Sequence, residues 1–137
     1  MSARTKARKR ALDILFSADV RQISLVEALK AEASRAASEP ARAASWLYAR
    51  EIVDGVIDHH EEIDETIATY ARGWTLERMP AVDRALIRIA VWEILFNPDV
   101  PAAVAVDEAV EAAKILSTDE SAGFVNGLLA TIASTAS

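Results

Sequence analysis

PAVDRALIRIAVWEILF, residues 80–96, is the stretch that decides the fold. Among its seventeen positions only Asp83, Arg84, Arg88 and Glu93 carry charge. A helix apolar round so much of its circumference has no broad side to offer to water, so other helices must surround it. Pro80 suits the first turn, where its missing N–H costs nothing. Asn97-Pro98-Asp99-Val100-Pro101 ends the helix, because two prolines three apart forbid its continuation. The segment therefore predicts the central helix of a bundle.

Downstream, Val106, Ala109, Val110, Ala113 and Leu116 line one face of a sixth helix, with Asp107, Glu108 and Glu111 on another. Ser117-Thr118-Asp119-Glu120 fits a capping box before a seventh helix, whose apolar side is Phe124, Val125, Leu128, Leu129 and Ile132. Residues 134–137 read as a frayed end. Upstream, Ile63, Ile67, Tyr70 and Ala71 predict a short fourth helix closed by Gly73, with Trp74 covering a seam. Pro40 opens a third helix, striped by Tyr48, Ile52, Gly55, Val56 and His59 and ending around His60. Ser24 to Glu27 forms a capping box for a second helix that ends near Ala37. Ser2 caps a first helix running to about Val20 on Ala7, Ala11, Ile14, Leu15 and Ala18. No segment alternates like a strand and none repeats. The expected architecture is all-α: about seven helices in two packed three-helix bundles, residues 1–60 and 61–137, forming one compact unit.

Composition agrees. Of 137 residues, 28 are alanine and only four each are glycine and proline, so helix formers abound and turn residues are scarce. The absence of cysteine excludes disulfide scaffolds and thiolate metal sites. The basic start runs into Ala11-Leu12-Asp13, where a secretory signal needs an apolar core, and the longest uncharged stretch, 121–137, carries Asn126. A cytoplasmic protein without a membrane span is expected.

Charge is unevenly spread. The net −6 combines a head at residues 1–10, with Arg4, Lys6, Arg8, Lys9, Arg10 and no acid, and a body of ten basic and 21 acidic residues. A +5 head on a −11 body points to a polyanion met at one end. Five cations on one helix can neutralise several phosphates without the entropy cost of ordering a tail. A solubilising arm is the plainer alternative. Arg4 and Arg8 stand above the stripe that Ala11 and Leu15 continue, so the head is expected to project from the bundle. Phe16 could stack a base if exposed, although its spacing is that of a core residue.

Enzyme chemistry does not assemble. His59 and His60 are adjacent, about 100° apart on a helix, so they are no i, i+4 ligand pair, and a solvated helix end explains them better. No Gly-rich phosphate loop and no Ser/His/Asp or Cys/His set is present. Asp107, Glu108 and Glu111 read as a wet helix face near the positive end of the macrodipole. Arg84 and Arg88 could bind phosphate or pair with Asp83 or Glu93. No cofactor is expected.

Three ordered segments resemble the NusB family of transcription antitermination factors. Residues 7–16, Ala-Arg-Lys-Arg-Ala-Leu-Asp-Ile-Leu-Phe, resemble its Arg-rich first helix. Residues 82–95, then Asp99-Val100-Pro101 and 106–114, resemble its most recognisable stretch, and Phe124-Val125-Asn126-Gly127-Leu128-Leu129 its C-terminal signature. The resemblance runs from Arg4 to Leu129 and implies two perpendicular three-helix bundles. It further implies pairing with NusE, a small-subunit ribosomal protein, and binding of the heterodimer to the single-stranded boxA element of ribosomal RNA leaders, so that RNA polymerase resists termination. By residue matching, Arg4, Lys6, Arg8 and Arg10, with Lys9 beside them, are implied phosphate contacts. Phe16 stands where the family usually has tyrosine, and Glu120, Ser121 and Phe124 border the same RNA surface.

The chain departs from the family at Ala102 and Ala103, where many relatives have Tyr and Lys, and at Gly123, where they have Lys. The loss of two positive charges implies weaker RNA affinity or more dependence on the protein partner. If four or five phosphates are engaged, log affinity against log salt should slope by roughly −3 to −3.5. Gly127 inside a helix costs about 1 kcal/mol against alanine, for which close approach of a neighbouring helix is sufficient reason. Two rival readings remain. NusB-like domains also precede ribosomal RNA methyltransferase domains as recognition modules, and a protein-interaction module need not touch RNA. A homodimer that hid the head would compete with RNA.

Overall fold

The computed structural model describes residues 2–39 and 43–136. Among them are seven α-helices: α1 (Ala3–Arg21), α2 (Leu25–Ala37), α3 (Ala43–Asp58), α4 (His60–Tyr70), α5 (Ala81–Phe96), α6 (Ala102–Leu116) and α7 (Asp119–Ala136). One 3-10 turn, Leu76–Arg78, precedes α5, and no strand occurs among the described residues.

The helix starts follow local chemistry. Ser2 caps α1 by accepting from the Thr5 N–H, and Ser24 caps α2 by accepting from the Glu27 N–H. At α7 the cap is Thr118 rather than Ser117, its hydroxyl taking the Ser121 N–H at 3.0 Å. The Pro40 assignment lies outside the described residues. Gly73 closes the α4 region at φ 84°, where a side chain would be strained. The expected frayed end is instead helical through Ala136.

Helix α5 is central as the sequence predicts. It packs on α1, α3, α4, α6 and α7 and buries nine of its sixteen residues, including both acids, Asp83 and Glu93. Helices α1 and α3 form one close pair and α6 and α7 another, with α2 laid over α1 and α3. A single cluster of buried residues draws on all seven helices. Gly55 lets Trp92 of α5 lie close against α3, since a Cβ there would meet Trp92 Nε1 at 1.9 Å.

Gly127 behaves otherwise. It is exposed with nothing near its would-be Cβ, so no helix approaches it and close packing does not explain it.

Candidate nucleic-acid interface

The basic head is docked rather than projecting. Ala7 and Ala11 are fully buried, which seats the head of α1 against α3 and α5, with Glu108 of α6 reaching Thr5 and Arg8. Arg8 is drawn in with them, its side chain only 10% exposed. Its Nε donates to both Glu93 oxygens at 3.0 Å, and Nη2 lies 3.0 Å from Oε2. Glu108 stands 3.5 Å from Nη1 and also accepts from the Thr5 hydroxyl at 2.9 Å. Arg8 is therefore no open phosphate ligand; it is spent on intramolecular carboxylates. Glu108, read from sequence as part of a wet face, is half-buried in the same cluster.

The cluster extends inward. The Tyr48 hydroxyl donates to Glu93 Oε2 at 2.5 Å, and Asn97 Nδ2 donates to that hydroxyl at 3.1 Å. Burial pulls Arg8 toward neutrality, but the hydrogen bond and charge of Glu93, helped by Tyr48 and Glu108, hold its pKa above the ordinary value. Burial, then the bond to Glu93 and its charge, push the Tyr48 phenol well above 10.0. A raised folded pKa gives stability that is complete below the unfolded phenol value of 10.0 and is lost as pH rises through the folded one. Above pH 10, wild type should lose up to about 1.4 kcal/mol per pH unit more than Tyr48→Phe, read from urea unfolding at stepped pH. Parallel alkaline limbs would show that the phenol titrates freely.

Arg4, Lys6 and Lys9 face outward, and Arg10 is part-buried beside them. Arg4 and Lys6 are exposed, with the Arg4 guanidinium 4.7 Å above the Tyr48 ring. Lys9 is 46% exposed and pairs with Asp13 at 2.7 Å, a surface bridge of about 0–1 kcal/mol that a phosphate can displace. Arg10 donates to the Ser45 hydroxyl at 3.1 Å and stacks on Trp46 at 5.4 Å.

The aromatic candidates are also accessible. Phe16 is 38% exposed rather than core. Phe124 is partly buried against Trp74, ring centroids 5.8 Å apart and tilted 52°, with Trp74 itself half-exposed. Sequence reasoning cast Trp74 only as a seam cover; its place just after the Gly73 turn was the signal for an exposed ring. Glu120 and Ser121 lie in the first turn of α7, and Gly123 leaves open space one turn on.

Arg84 and Arg88 are structural, though not through the partners expected. Arg84 grips Asp19 at 2.5 and 2.8 Å and donates to the Leu76 and Met79 carbonyls. Arg88 holds Asp64 in a bidentate pair at 2.9 and 3.0 Å. Asp83 is left buried, its Oδ1 the one buried side-chain polar atom without a partner among the described residues. His59 stacks on Phe96 at 3.8 Å and His60 reaches Asp64 at 3.1 Å; no metal-holding group of acids and histidines forms among the described residues.

Fold and surface together define a helical-bundle protein with a cationic edge. The model of the NusB family matches residues 5–134. The Transcription antitermination protein NusB of Leifsonia xyli subsp. xyli is 79% identical, over 97% of this chain and 92% of its own length. That of Clavibacter sepedonicus is 64% identical over 97% of both. Among solved structures, T. maritima NusB matches with TM-score 0.83 at 32% identity, covering 98% of this chain and 92% of that one. A crystal structure of antitermination factors NusB and NusE in complex with dsRNA matches with TM-score 0.83 at 27% identity over 98% of both chains. The chain belongs to the NusB family, a family of transcription antitermination proteins rather than enzymes.

Proposed function

We propose that this chain is an RNA-binding antitermination factor that, together with NusE, takes the single-stranded boxA element of ribosomal RNA leaders and keeps RNA polymerase from terminating. The observation that carries this reading is the cationic edge of α1, outward at Arg4, Lys6 and Lys9 with the part-buried Arg10 beside them, on a fold shared with a NusB that was crystallised with NusE and RNA. In this reading those four side chains hold phosphates, while Arg8 positions the helix that carries them. Phe16 and the Trp74–Phe124 pair offer rings for unpaired bases, and Glu120 and Ser121 border them. The acidic body limits indiscriminate contact with other polyanions. No helix among the described residues is long and apolar enough to cross a membrane, which suits a cytoplasmic site of action.

The test is a salt titration of binding to boxA-type, scrambled and double-stranded RNA, with and without NusE. Four phosphate contacts at about 0.7 each give an expected slope of about −2.8 for the single strand. A slope near zero overturns the mechanism. Equal affinity for the scrambled strand in the presence of NusE overturns boxA recognition, and preference for the duplex overturns the single-strand reading. Light scattering across the same concentrations reports whether a homodimer competes.

A further inference from the structure

A second recognition surface lies on α3 and the C-terminal half of α5. Because Gly55 has no side chain, the Trp92 indole lies directly over the α3 backbone. Trp92 is only 5% exposed, yet its N–H finds no acceptor among the described residues. It is not sealed in, since the Asp83 oxygen is the sole buried orphan atom among them. Trp92 and Gly55 form the floor of a shallow pocket of about 460 Å³. In such a pocket a ligand carbonyl can take the place of the water that otherwise meets this donor.

The rim asks for the opposite charge. Glu51, Asp54 and Asp58 stand along α3 at this pocket, where Arg50 is the one Arg or Lys among the described lining residues and makes a loose 3.6 Å surface pair with Asp54. Glu51 and Asp58 have no partner among the described residues. One wall is the His59–Phe96 stack, planes within 10° of each other, and Leu47 is 70% exposed at the far end. An RNA strand is repelled by such a rim. A ligand that satisfies every part has a carbonyl for the indole, a cation for the carboxylates, and a planar or aliphatic surface for the wall.

We propose that this pocket binds an arginine-bearing segment of a partner polypeptide. The segment's backbone carbonyl accepts from Trp92, and its guanidinium lies among Glu51, Asp54 and Asp58 while stacking on the aromatic wall. Leu47 receives a neighbouring apolar side chain.

The test follows the Trp92 indole N–H signal, assigned with Trp92→Phe, in isotope-labelled full-length protein. The probe is a blocked hexapeptide of alternating arginine and leucine, against its analogue with citrulline in place of arginine. A saturable downfield shift is expected with the arginine peptide, at least tenfold weaker with citrulline, and at least tenfold weaker in the Glu51→Gln/Asp58→Asn protein. An indole signal that does not move overturns the proposal. So does equal affinity for citrulline, or undiminished binding by the double variant. The readout is independent of RNA binding, so this surface and the α1 edge succeed or fail separately.

Discussion

Glu93→Ala is expected to cost roughly 3–5 kcal/mol, the usual cost of removing one partner from a buried ion pair. Glu93 is 1% exposed and receives Arg8, which is itself nearly enclosed, together with the Tyr48 hydroxyl. Removing it leaves a nearly enclosed guanidinium with only the longer 3.5 Å contact to Glu108, and the phenol without its acceptor, each a desolvation penalty. Against a typical total stability of about 5–15 kcal/mol, urea unfolding should show a large fall in midpoint at unchanged m-value. The double variant Arg8→Met/Glu93→Leu should recover much of the loss, because apolar side chains need no partner there. A loss below about 1 kcal/mol would mean the clasp is loose and Arg8 free to meet a ligand. The same logic fixes what Arg8→Ala does in an RNA assay. Affinity falls because α1 shifts on α5, the protein is destabilised in parallel, and the salt slope stays near its wild-type value.

The difference between Arg8 and its neighbours shows how far a sequence reading reaches. Helix α5 was legible because its apolar run is longer than any wet face allows, and the Asn97–Pro101 break leaves no alternative ending. The caps at Ser2 and Ser24 were legible because they are local. Charge counting found the cationic head but could not say which cation turns inward, since that depends on Glu93, 85 residues away. Arg84 and Arg88 carry the same lesson: their carboxylates, Asp19 and Asp64, come from α1 and α4 and not from the near neighbours Asp83 and Glu93. The core spacing of Phe16 and the close-packing reading of Gly127 failed for a related reason. Periodicity names the face of a helix, but what stands opposite that face is set by tertiary packing.

Neutralising the four cations of the edge together, Arg4, Lys6, Lys9 and Arg10 to glutamine, should lower affinity for single-stranded RNA by about two orders of magnitude near 0.15 M salt. Each phosphate contact worth about 0.7 in the salt slope contributes roughly fourfold at that concentration, and four multiply. The residual affinity should be nearly flat in salt. Stability should change little by comparison, because the surface ion pair of Lys9, the Arg10–Ser45 hydrogen bond and the cation–π interactions over Tyr48 and Trp46 are each worth about 1 kcal/mol or less. Arg8→Ala and the quadruple variant thus form a contrast, one losing stability with its salt slope kept, the other losing salt slope with its stability kept. If both variants lost slope equally, Arg8 would be touching phosphate in the complex, and the Glu93 clasp would have to open on binding. If neither did, the head of α1 would be docked onto its own protein and nothing else, and the RNA reading would fail with it.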